Sequence, residues 1–395
     1  MADIVPRAVP SAVPNSVPAA SSLASSPTRS LRIGIVCPYS LTVPGGVQMQ
    51  VLGLARELRR RGHEARVLGP CDGPPPESFV TPLGKSLPTA ANGSIAPLAP
   101  DPPAVMRTIR ALDEEHFDIV HVHEPLAPGP TVTATLTHRH PTVGTFHAAG
   151  VSAMYRMLRP FLARLINRID RKVVVSKDAL ALVQSYLGGD YDVLFNGVEV
   201  AQIRSARPLD RPVGAPPAVF FCGRHEVRKG LRVLLEAFRH VPVDAELWIA
   251  SSGPDTAELT ALTVGDDRIK WLGRISDAEK FARLRTADVF CAPSLGGESF
   301  GVVLIEAMAA QTTVVASSLD GYQNVATHDV DALLSAPGDV AGLAVALERA
   351  LVDAPLAARL REAGAHRAER FAMSALADEY LKIYHEVIAD RSGAR

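Results

Sequence analysis

Residues 296–309 read GGESFGVVLIEAMA, a glycine turn that runs directly into an apolar helical segment. Such a junction presents unpaired backbone N–H groups at the positive end of a helix dipole, which favours a phosphate or another anion. The stretch also carries two carboxylates, Glu298 and Glu306, eight positions apart. Carboxylates accept hydrogen bonds from hydroxyl groups, so the pattern indicates a ligand with both phosphate and hydroxyl groups, such as a nucleotide sugar.

Working outward, the stretch belongs to a series in which short apolar runs alternate with helical segments. Apolar runs at 289–292 and 313–316 flank it, and similar runs occur in the first half at 31–37, 117–123 and 141–147. Alternating strands and helices predict an α/β fold with doubly wound parallel sheets, whose ligands bind at the carboxyl ends of the strands.

The chain of 395 residues is long enough for two or three domains. Composition and periodicity predict two Rossmann-like domains facing a central cleft, with less regular segments around them. The predicted segments are a disordered Pro/Ala/Ser-rich tail at 1–30, an N-terminal Rossmann-like domain at 31–200, a linker at 201–217, a C-terminal domain at 218–373 that holds the candidate nucleotide-sugar site, and a C-terminal helix at 374–395 that can cross back to the first domain.

Composition excludes several classes of protein. The 41 Lys and Arg against 42 Asp and Glu give a net charge of -1, which argues against a nucleic-acid partner. The four cysteines are scattered without a C-x-x-C pair, so we expect neither a zinc site nor a disulfide framework, but a reducing cytoplasm. No apolar run approaches the roughly 18 residues of a membrane span.

The loop at 223–230, GRHEVRKG, follows an apolar run and precedes a helical segment. Arg224 and Lys229 would stand at a strand end, where two cations can bind a diphosphate and stabilise it as a leaving group. The alternative is a solvated basic loop. Glu306 lies in an apolar run and needs a partner there, and ribose hydroxyls could serve.

Histidines mark two strand ends in the first half. His121, His123 and Glu124 could be metal ligands, but no further ligands occur at a recognisable spacing, so a polar cleft edge is the better interpretation and no metal is expected. His147 ends another strand, where it is either a hydrogen-bonded core edge or a ligand contact.

Residues Met154–Lys172 combine apolar positions with a row of arginines. A basic amphipathic helix of this kind can lie on an anionic membrane surface. The alternative is a helix that packs on the protein core and exposes its arginines to solvent.

These motifs resemble the retaining family 4 glycosyltransferases of GT-B architecture, over about residues 31–388. The most specific are the E-x7-E pair at 298–306, the Gly-Arg…Arg-Lys-Gly loop at 223–230 and Pro-Gly-Gly-Val-Gln at 44–48. Asn-Gly-Ser at 92–94 and His-Glu-Pro further along resemble the actinobacterial phosphatidylinositol mannosyltransferases. The resemblance implies GDP-mannose as the donor and the inositol phosphate of a membrane lipid as the acceptor, at the inner face of the membrane.

The resemblance also implies roles for individual residues. Four are implied at the catalytic centre: Arg224 and Lys229 on the diphosphate, Glu298 on the sugar hydroxyls and His147 near the reacting carbon. The family reaction is drawn as same-face attack with the donor phosphate accepting the acceptor proton, so no protein nucleophile, tightly bound cofactor or divalent cation is implied. The other implied donor contacts are Gly46, Ser299, Phe300, Gly301 and Glu306, and the implied acceptor contacts are Tyr39 and Asn92.

The chain departs from the family pattern on the acceptor side. Pro97 stands where the family has an arginine for the acceptor phosphate, and Ala148 stands where it has a threonine. A UDP-sugar enzyme with another lipid, glycan or soluble acceptor is therefore an alternative. A catalytically silent nucleotide-sugar-binding protein is another.

Overall fold

The computed structural model describes residues 29–91, 94–137, 140–147, 159–242, 244–298 and 300–393. Residues from Leu31 onward form one compact unit. The predictions for the tail up to residue 28, for Asn92, for Ala148, for residues 154–158 and for Ser299 lie outside the described residues.

The first half builds a seven-stranded parallel sheet in the order β3-β2-β1-β6-β7-β8-β9, and its two remaining strands form a separate antiparallel hairpin, β4-β5. Near-continuous burial of the central strands fits a sheet covered on both faces. The strands are β1 Arg32–Val36, β2 Glu64–Gly69, β3 Val80–Pro82, β4 Leu87–Ala91, β5 Ser94–Leu98, β6 Ile119–His123, β7 Thr142–Phe146, β8 Arg171–Val174 and β9 Asp192–Val193.

The helices of this half connect the strands and cover the sheet. The helix α2 begins at Pro102, because the carboxylate of Asp101 accepts a hydrogen bond from the Ala104 N–H and caps the helix. The helices are α1 Gly46–Arg60, α2 Pro102–Glu114, α3 Pro130–Thr137, α4 Arg159–Ile166, α5 Lys177–Leu187 and α6 Val200–Ser205.

The second half forms a six-stranded parallel sheet in the order β12-β11-β10-β13-β14-β15. The two parallel sheets confirm the predicted α/β fold. The strands are β10 Ala218–Cys222, β11 Glu246–Ala250, β12 Ile269–Gly273, β13 Val289–Ala292, β14 Thr313–Ser317 and β15 Leu333–Ser335. The helices are α7 Leu231–Phe238, α8 Thr256–Ala261, α9 Asp277–Thr286, α10 Val302–Ala309, α11 Asp320–Gln323, α12 Val340–Val352, α13 Ala354–Glu369 and α14 Met373–Gly393, with a 3₁₀ turn at Val227–Lys229.

The last helix, α14, packs on the first sheet and not on the second. Its apolar residues recur at spacings of three and four and join the core that contains β1 and α1. The chain therefore passes twice between the sheets, and the two passages touch where Val198 pairs with Ala372 in a β-bridge. The residues that α14 contributes to this core are Met373, Ala377, Tyr380, Ile383, Tyr384 and Val387.

The structure adds detail to three segments. The region before α2 holds the hairpin β4-β5, which its many prolines concealed. The segment at 201–217 begins within α6, because Val200 and Ile203 find buried positions there. The predicted basic helix ends at Ile166, and its last two residues, Arg171 and Lys172, lie in β8.

The described apolar residues of α4 face the protein. Leu162, Leu165 and Ile166 are 3%, 1% and 3% exposed and belong to a core with residues of β8 and α5. Arg164 and Arg168 are exposed to solvent. This is the arrangement of a core-facing helix with a solvated arginine face.

Candidate active site

The stretch at 296–309 connects β13 to α10, as its sequence predicts. Gly301 precedes the first turn of α10 with φ of 90°, and a Cβ atom there would lie 2.9 Å from the Tyr322 ring. Only glycine combines this backbone conformation with so close a neighbour. Phe300 is buried and its ring stacks on Phe195 at 5.1 Å, so the side chain predicted to contact the donor belongs to the core.

The loop at 223–230 docks directly against this turn. Gly230 has φ of 68°, and a Cβ atom there would lie 1.9 Å from the Pro293 carbonyl oxygen. The Leu295 N–H donates to the Arg228 carbonyl at 2.7 Å. These backbone contacts bring the predicted cations of one loop beside the predicted carboxylate of the other.

Glu298 is the centre of a cluster of polar groups. One of its carboxylate oxygens accepts hydrogen bonds from Lys229 Nζ at 2.5 Å, Arg228 Nη1 at 3.2 Å and Ser294 Oγ at 3.2 Å. Only 12% of the Glu298 side chain is exposed. Sequence reasoning missed Arg228 and Ser294, although Arg228 lies next to Lys229 in the same motif. The cation and the carboxylate that were predicted to bind different parts of the donor bind each other.

Arg224 is the most exposed of the three cations in the loop. Its side chain is 70% exposed, and its ion pair with Glu226 has a distance of 4.0 Å. A side chain held this weakly can turn toward a bound anion at little cost.

Glu306 has a partner within the protein. Lys280 of α9 donates to its carboxylate at 2.9 Å, so the buried charge is compensated without a ribose. Burial lowers the pKa of Lys280, but the attraction of Glu306 and its hydrogen bond outweigh that effect, and the pKa is raised above its ordinary value. Lys280 was missed because an isolated lysine on an amphipathic helix gives no sequence signal.

The Lys280–Glu306 pair lines a cavity of about 320 Å³ that both halves of the chain enclose. Pro44 and Gly45, just before the first turn of α1, line the opposite wall. The helix start offers backbone N–H groups, while the lining also carries the carboxylates of Glu199, Asp277 and Glu306, which can accept hydrogen bonds from hydroxyl groups. Gly46, the predicted donor contact, is the first residue of α1, and a Cβ atom there would meet nothing within 4 Å.

The strand-end histidines form one group, in which His121 and His123 are buried and His147 is partly buried. Strands β6 and β7 pair in register, so His121, His123 and Thr145 lie side by side. His123 Nδ1 and His147 Nε2 are 2.8 Å apart. Burial lowers the pKa of His121 and of His147 to about 3 and that of His123 well below its ordinary value, so all three imidazoles are neutral near pH 7.

Glu124 and Tyr39 complete this strand edge. The Glu124 carboxylate accepts the His147 backbone N–H at 2.6 Å, and Glu124 itself has φ of 49°, a conformation that non-glycine residues rarely adopt. Burial and the nearby Glu124 charge raise the pKa of Tyr39. Tyr39 also forms a β-bridge with Leu98 of the hairpin, and the Ser40 N–H donates to the Pro97 carbonyl at 2.9 Å.

Four of the predicted residues lie in three separate groups. Lys229 and Glu298 bind each other, Glu306 binds Lys280, and His147 binds Glu124 through its backbone N–H. No hydrogen bond or ion pair between described residues joins His147 to Glu298. Over the same residues, no group of three or more His, Cys, Asp or Glu could hold a metal ion. None of the described helices is both long and apolar enough to span a membrane.

Both parts of the chain match known families. Residues 44–202 match the family described as Glycosyltransferase Family 4, and residues 216–353 match the family described as Glycosyl transferases group 1. The two matches leave out the start of the chain and the helices α13 and α14.

Individual relatives extend over nearly the whole chain. The phosphatidyl-myo-inositol mannosyltransferase of Mycobacterium leprae is 40% identical over 374 residues, which are 92% of this chain and 98% of the relative. That of Mycolicibacterium smegmatis is 38% identical over 372 residues, 90% of this chain and 94% of the relative. A crystal structure of a glycosyltransferase from Rickettsia africae matches this chain with a TM-score of 0.71 at 18% identity. The match covers 91% of this chain and 99% of the Rickettsia chain, and it supports the predicted GT-B fold.

Proposed function

The chain belongs to the family 4 glycosyltransferases, and from this membership we propose that it transfers mannose from GDP-mannose to an inositol phosphate lipid such as phosphatidylinositol. One observation carries the proposal. The identity of 40% to the Mycobacterium leprae phosphatidyl-myo-inositol mannosyltransferase extends over 98% of that relative, so both the donor half and the acceptor half have counterparts.

The donor diphosphate is the leaving group. As the bond to the sugar carbon breaks, negative charge accumulates on the phosphate oxygens, and cations held beside them stabilise the transition state more than the ground state. Arg224 and Lys229 supply these cations, and the start of α1 at Gly46 supplies backbone N–H groups. With that charge provided by the protein, transfer needs neither a divalent cation nor a tightly bound cofactor.

Donor binding rearranges the Lys229–Glu298 pair. Lys229 moves to the diphosphate, and Glu298 accepts hydrogen bonds from the sugar hydroxyls in its place. Glu306 accepts from the ribose hydroxyls while Lys280 keeps its charge compensated. Because the Phe300 ring is buried, the contacts from that turn are those of backbone N–H groups, at Ser299 and Gly301 as well.

His147 lies at a strand end of the acceptor-side domain, where it contacts the sugar near its reacting carbon. The acceptor hydroxyl attacks from the side that the diphosphate leaves, and the departing phosphate oxygen accepts its proton. The configuration of the sugar carbon is then retained without a protein nucleophile.

Tyr39 and Asn92 contact the acceptor. Tyr39 joins the hairpin β4-β5 through its bridge to Leu98, and Asn92 follows β4 in the sequence. The acceptor is a membrane lipid, so the chain works at the inner, anionic face of the membrane. The exposed Arg164 of α4 and Arg168, two residues after its end, support attraction to that face.

A donor-by-acceptor transfer screen tests the proposal. The purified full chain receives GDP-mannose, UDP-glucose or UDP-N-acetylglucosamine, each with phosphatidylinositol vesicles or with free inositol phosphate, and products are identified by mass spectrometry. We expect transfer of mannose to phosphatidylinositol, undiminished by EDTA, and its loss in Glu298→Ala. Transfer only from a UDP-sugar, or tight GDP binding with no turnover of any donor, would replace the proposal by one of its two alternatives.

The second candidate, a different acceptor, is favoured by Pro97. The family's arginine there would give a charge-assisted hydrogen bond to the acceptor phosphate, worth about 1.5–3 kcal/mol. A proline cannot give one. Pro97→Arg should therefore raise the rate with phosphatidylinositol if phosphate recognition is weak in this chain, and leave it unchanged if another cation serves.

Membrane attachment needs a separate test. Sedimentation with vesicles that contain phosphatidylinositol should bring down the wild-type chain and less of the variant Arg164→Gln/Arg168→Gln. Equal sedimentation of both would show that α4 is not the contact.

A further inference from the structure

His123 and His147 share a single proton in their contact. Their facing ring nitrogens, Nδ1 and Nε2, are 2.8 Å apart, and the rings are stacked with centroids 5.1 Å apart. A neutral imidazole has one N–H and one bare nitrogen. The bond therefore runs either from His123 Nδ1–H to His147 Nε2 or in the opposite direction.

The surroundings of His123 distinguish the two directions. Its other ring nitrogen, Nε2, is buried and has no hydrogen-bond partner in the part of the chain that the structure describes. If His147 were the donor, the proton of His123 would have to be on Nε2, which would bury an N–H group without an acceptor. If His123 is the donor, Nε2 is a bare nitrogen that needs no acceptor and can be met by weakly polar C–H groups.

His121 cannot form a hydrogen bond with His123 Nε2, because both ring nitrogens of His121 already have hydrogen-bond partners. Nδ1 contacts the Tyr384 hydroxyl at 2.7 Å, and Nε2 contacts the Thr145 hydroxyl at 2.7 Å. The Thr145 hydroxyl in turn contacts Tyr380 at 2.9 Å. The two tyrosines belong to α14, so the C-terminal helix fixes the layer of side chains on which His123 packs.

We propose that His123 is a positioning residue that holds His147 in the tautomer protonated at Nδ1, so that His147 offers a hydrogen-bond donor to an oxygen of the bound nucleotide sugar. His147 Nε2 accepts from His123, which leaves the proton of His147 on Nδ1. That atom makes no hydrogen bond to the described residues, and the residue as a whole is only partly buried. Glu124 fixes the backbone of the same residue through its N–H, at 2.6 Å.

The ligand in this proposal rests on the proposed function, but the tautomer does not. Nitrogen NMR of the ligand-free full chain, labelled at histidine and assigned with a His147→Gln variant, reports which ring nitrogen carries the proton. We expect Nδ1 of His147 to be protonated and Nε2 to be bare at pH 7. A proton on Nε2 would overturn the proposal without bearing on the transferase activity.

Two substitutions of similar size separate positioning from packing. In His123→Asn the amide nitrogen can take the position of Nδ1 and donate to His147, whereas His123→Leu cannot donate. We expect the Asn variant to keep the tautomer and a kcat within about twofold, and the Leu variant to lose the fixed tautomer and about three- to tenfold in kcat, the value of one hydrogen bond. GDP affinity should be unchanged in both.

Equal losses in both variants, or parallel losses of kcat and GDP affinity, would indicate a purely structural role and refute the proposal. Because the wild-type spectrum decides the tautomer, the test holds even if the Leu variant does not fold. The expected tautomer in a chain that uses no sugar donor would refute the proposed function and leave the assignment of the proton intact.

Discussion

Lys280 and Glu306 form a 2.9 Å ion pair between α9 and α10 at the wall of the cavity between the two sheets. Their side chains are 15% and 9% exposed. Without Lys280, Glu306 would be a lone carboxylate on a helix whose other residues are apolar and, from Leu304 to Ala309, buried. The pair explains how the second glutamate of the E-x7-E motif is tolerated within an apolar helix.

Replacing Lys280 with methionine should destabilise the chain by about 3 kcal/mol, because it leaves a buried charge without a partner. Chemical denaturation at pH 7 measures the change. The double variant Lys280→Met/Glu306→Leu removes both charges and should recover most of the loss. A single variant as stable as the wild type would contradict the view that the pair compensates the buried charge. If Glu306 binds ribose, the double variant should still bind GDP poorly despite its restored stability.

Glu298→Gln should affect nucleotide binding and transfer in opposite directions. The amide leaves Lys229 without its carboxylate partner, whereas Arg228 keeps its ion pair with Glu226 at 2.7 Å. The Lys229 ammonium therefore becomes available to a diphosphate, and we expect GDP affinity to rise severalfold. Transfer should fall by roughly a hundredfold, since the sugar hydroxyls lose a charged acceptor. Calorimetric titration and initial rates measure the two effects. Glu258→Gln, which removes an exposed partner of Arg232, is the control and should change neither.

The sequence predicted the sheets and the positions of strand ends because both depend on local patterns. Apolar runs mark β10 and β13, and glycines with positive φ mark the turns at Gly230 and Gly301. Those turns bring Lys229 and Glu298 together, so the motif spacing was sufficient to associate them. The hairpin β4-β5 was missed because proline, at Pro88 and Pro97, is rare in strands other than edges.

The pairings of charged and polar groups could not be predicted, because they join residues that are distant in sequence. Lys280 and Glu306 come from different helices, and Tyr384 reaches His121 only because α14 returns to the first sheet. Glu306 could be recognised as a carboxylate that needs a partner, but its partner could not be named. At Phe300 the motif alone could not show that the ring is buried in the core, which leaves only its backbone for the predicted donor contact.

Acid should destabilise the chain through His121. Burial lowers its pKa to about 3 in the folded state, so between pH 6.5 and pH 3 the unfolded state binds a proton that the folded state does not. The contribution of His121 to the free energy of unfolding is therefore complete above pH 6.5 and decreases as the pH falls. At pH 5 the loss from this one residue is about 2 kcal/mol.

His121→Asn tests that assignment, since asparagine can still contact Tyr384 but does not titrate. Chemical denaturation gives the free energy of unfolding at pH 7 and at pH 5. The difference between the two values should be about 2 kcal/mol smaller in the variant than in the wild type. Equal pH dependence of the two proteins would mean that other groups cause the acid sensitivity.

The loop at 223–230 packs closely against the turn after β13. Alanine substitution should therefore cost more stability at Gly230, within this contact, than at Gly265, outside it. Gly230 and Gly265 both have positive φ, 68° and 92°, but a Cβ atom at Gly230 would lie 1.9 Å from the Pro293 carbonyl, whereas one at Gly265 would meet nothing within 4 Å. Gly265→Ala should therefore cost only the backbone strain, about 1 kcal/mol. Gly230→Ala must also push the loops apart, and we expect a loss of about 3 kcal/mol or more.

The same displacement should reach the ligand site. Lys229 precedes Gly230, so separating the loops moves its ammonium group away from Glu298 and from the diphosphate position. We expect Gly230→Ala to lower GDP affinity about tenfold at a temperature where the variant is still folded, the equivalent of about 1.4 kcal/mol. Gly265→Ala should bind GDP like the wild type. Equal stability of the two variants would mean that the loops can separate freely, and then the contact between Lys229 and Glu298 could not depend on the close approach at Gly230.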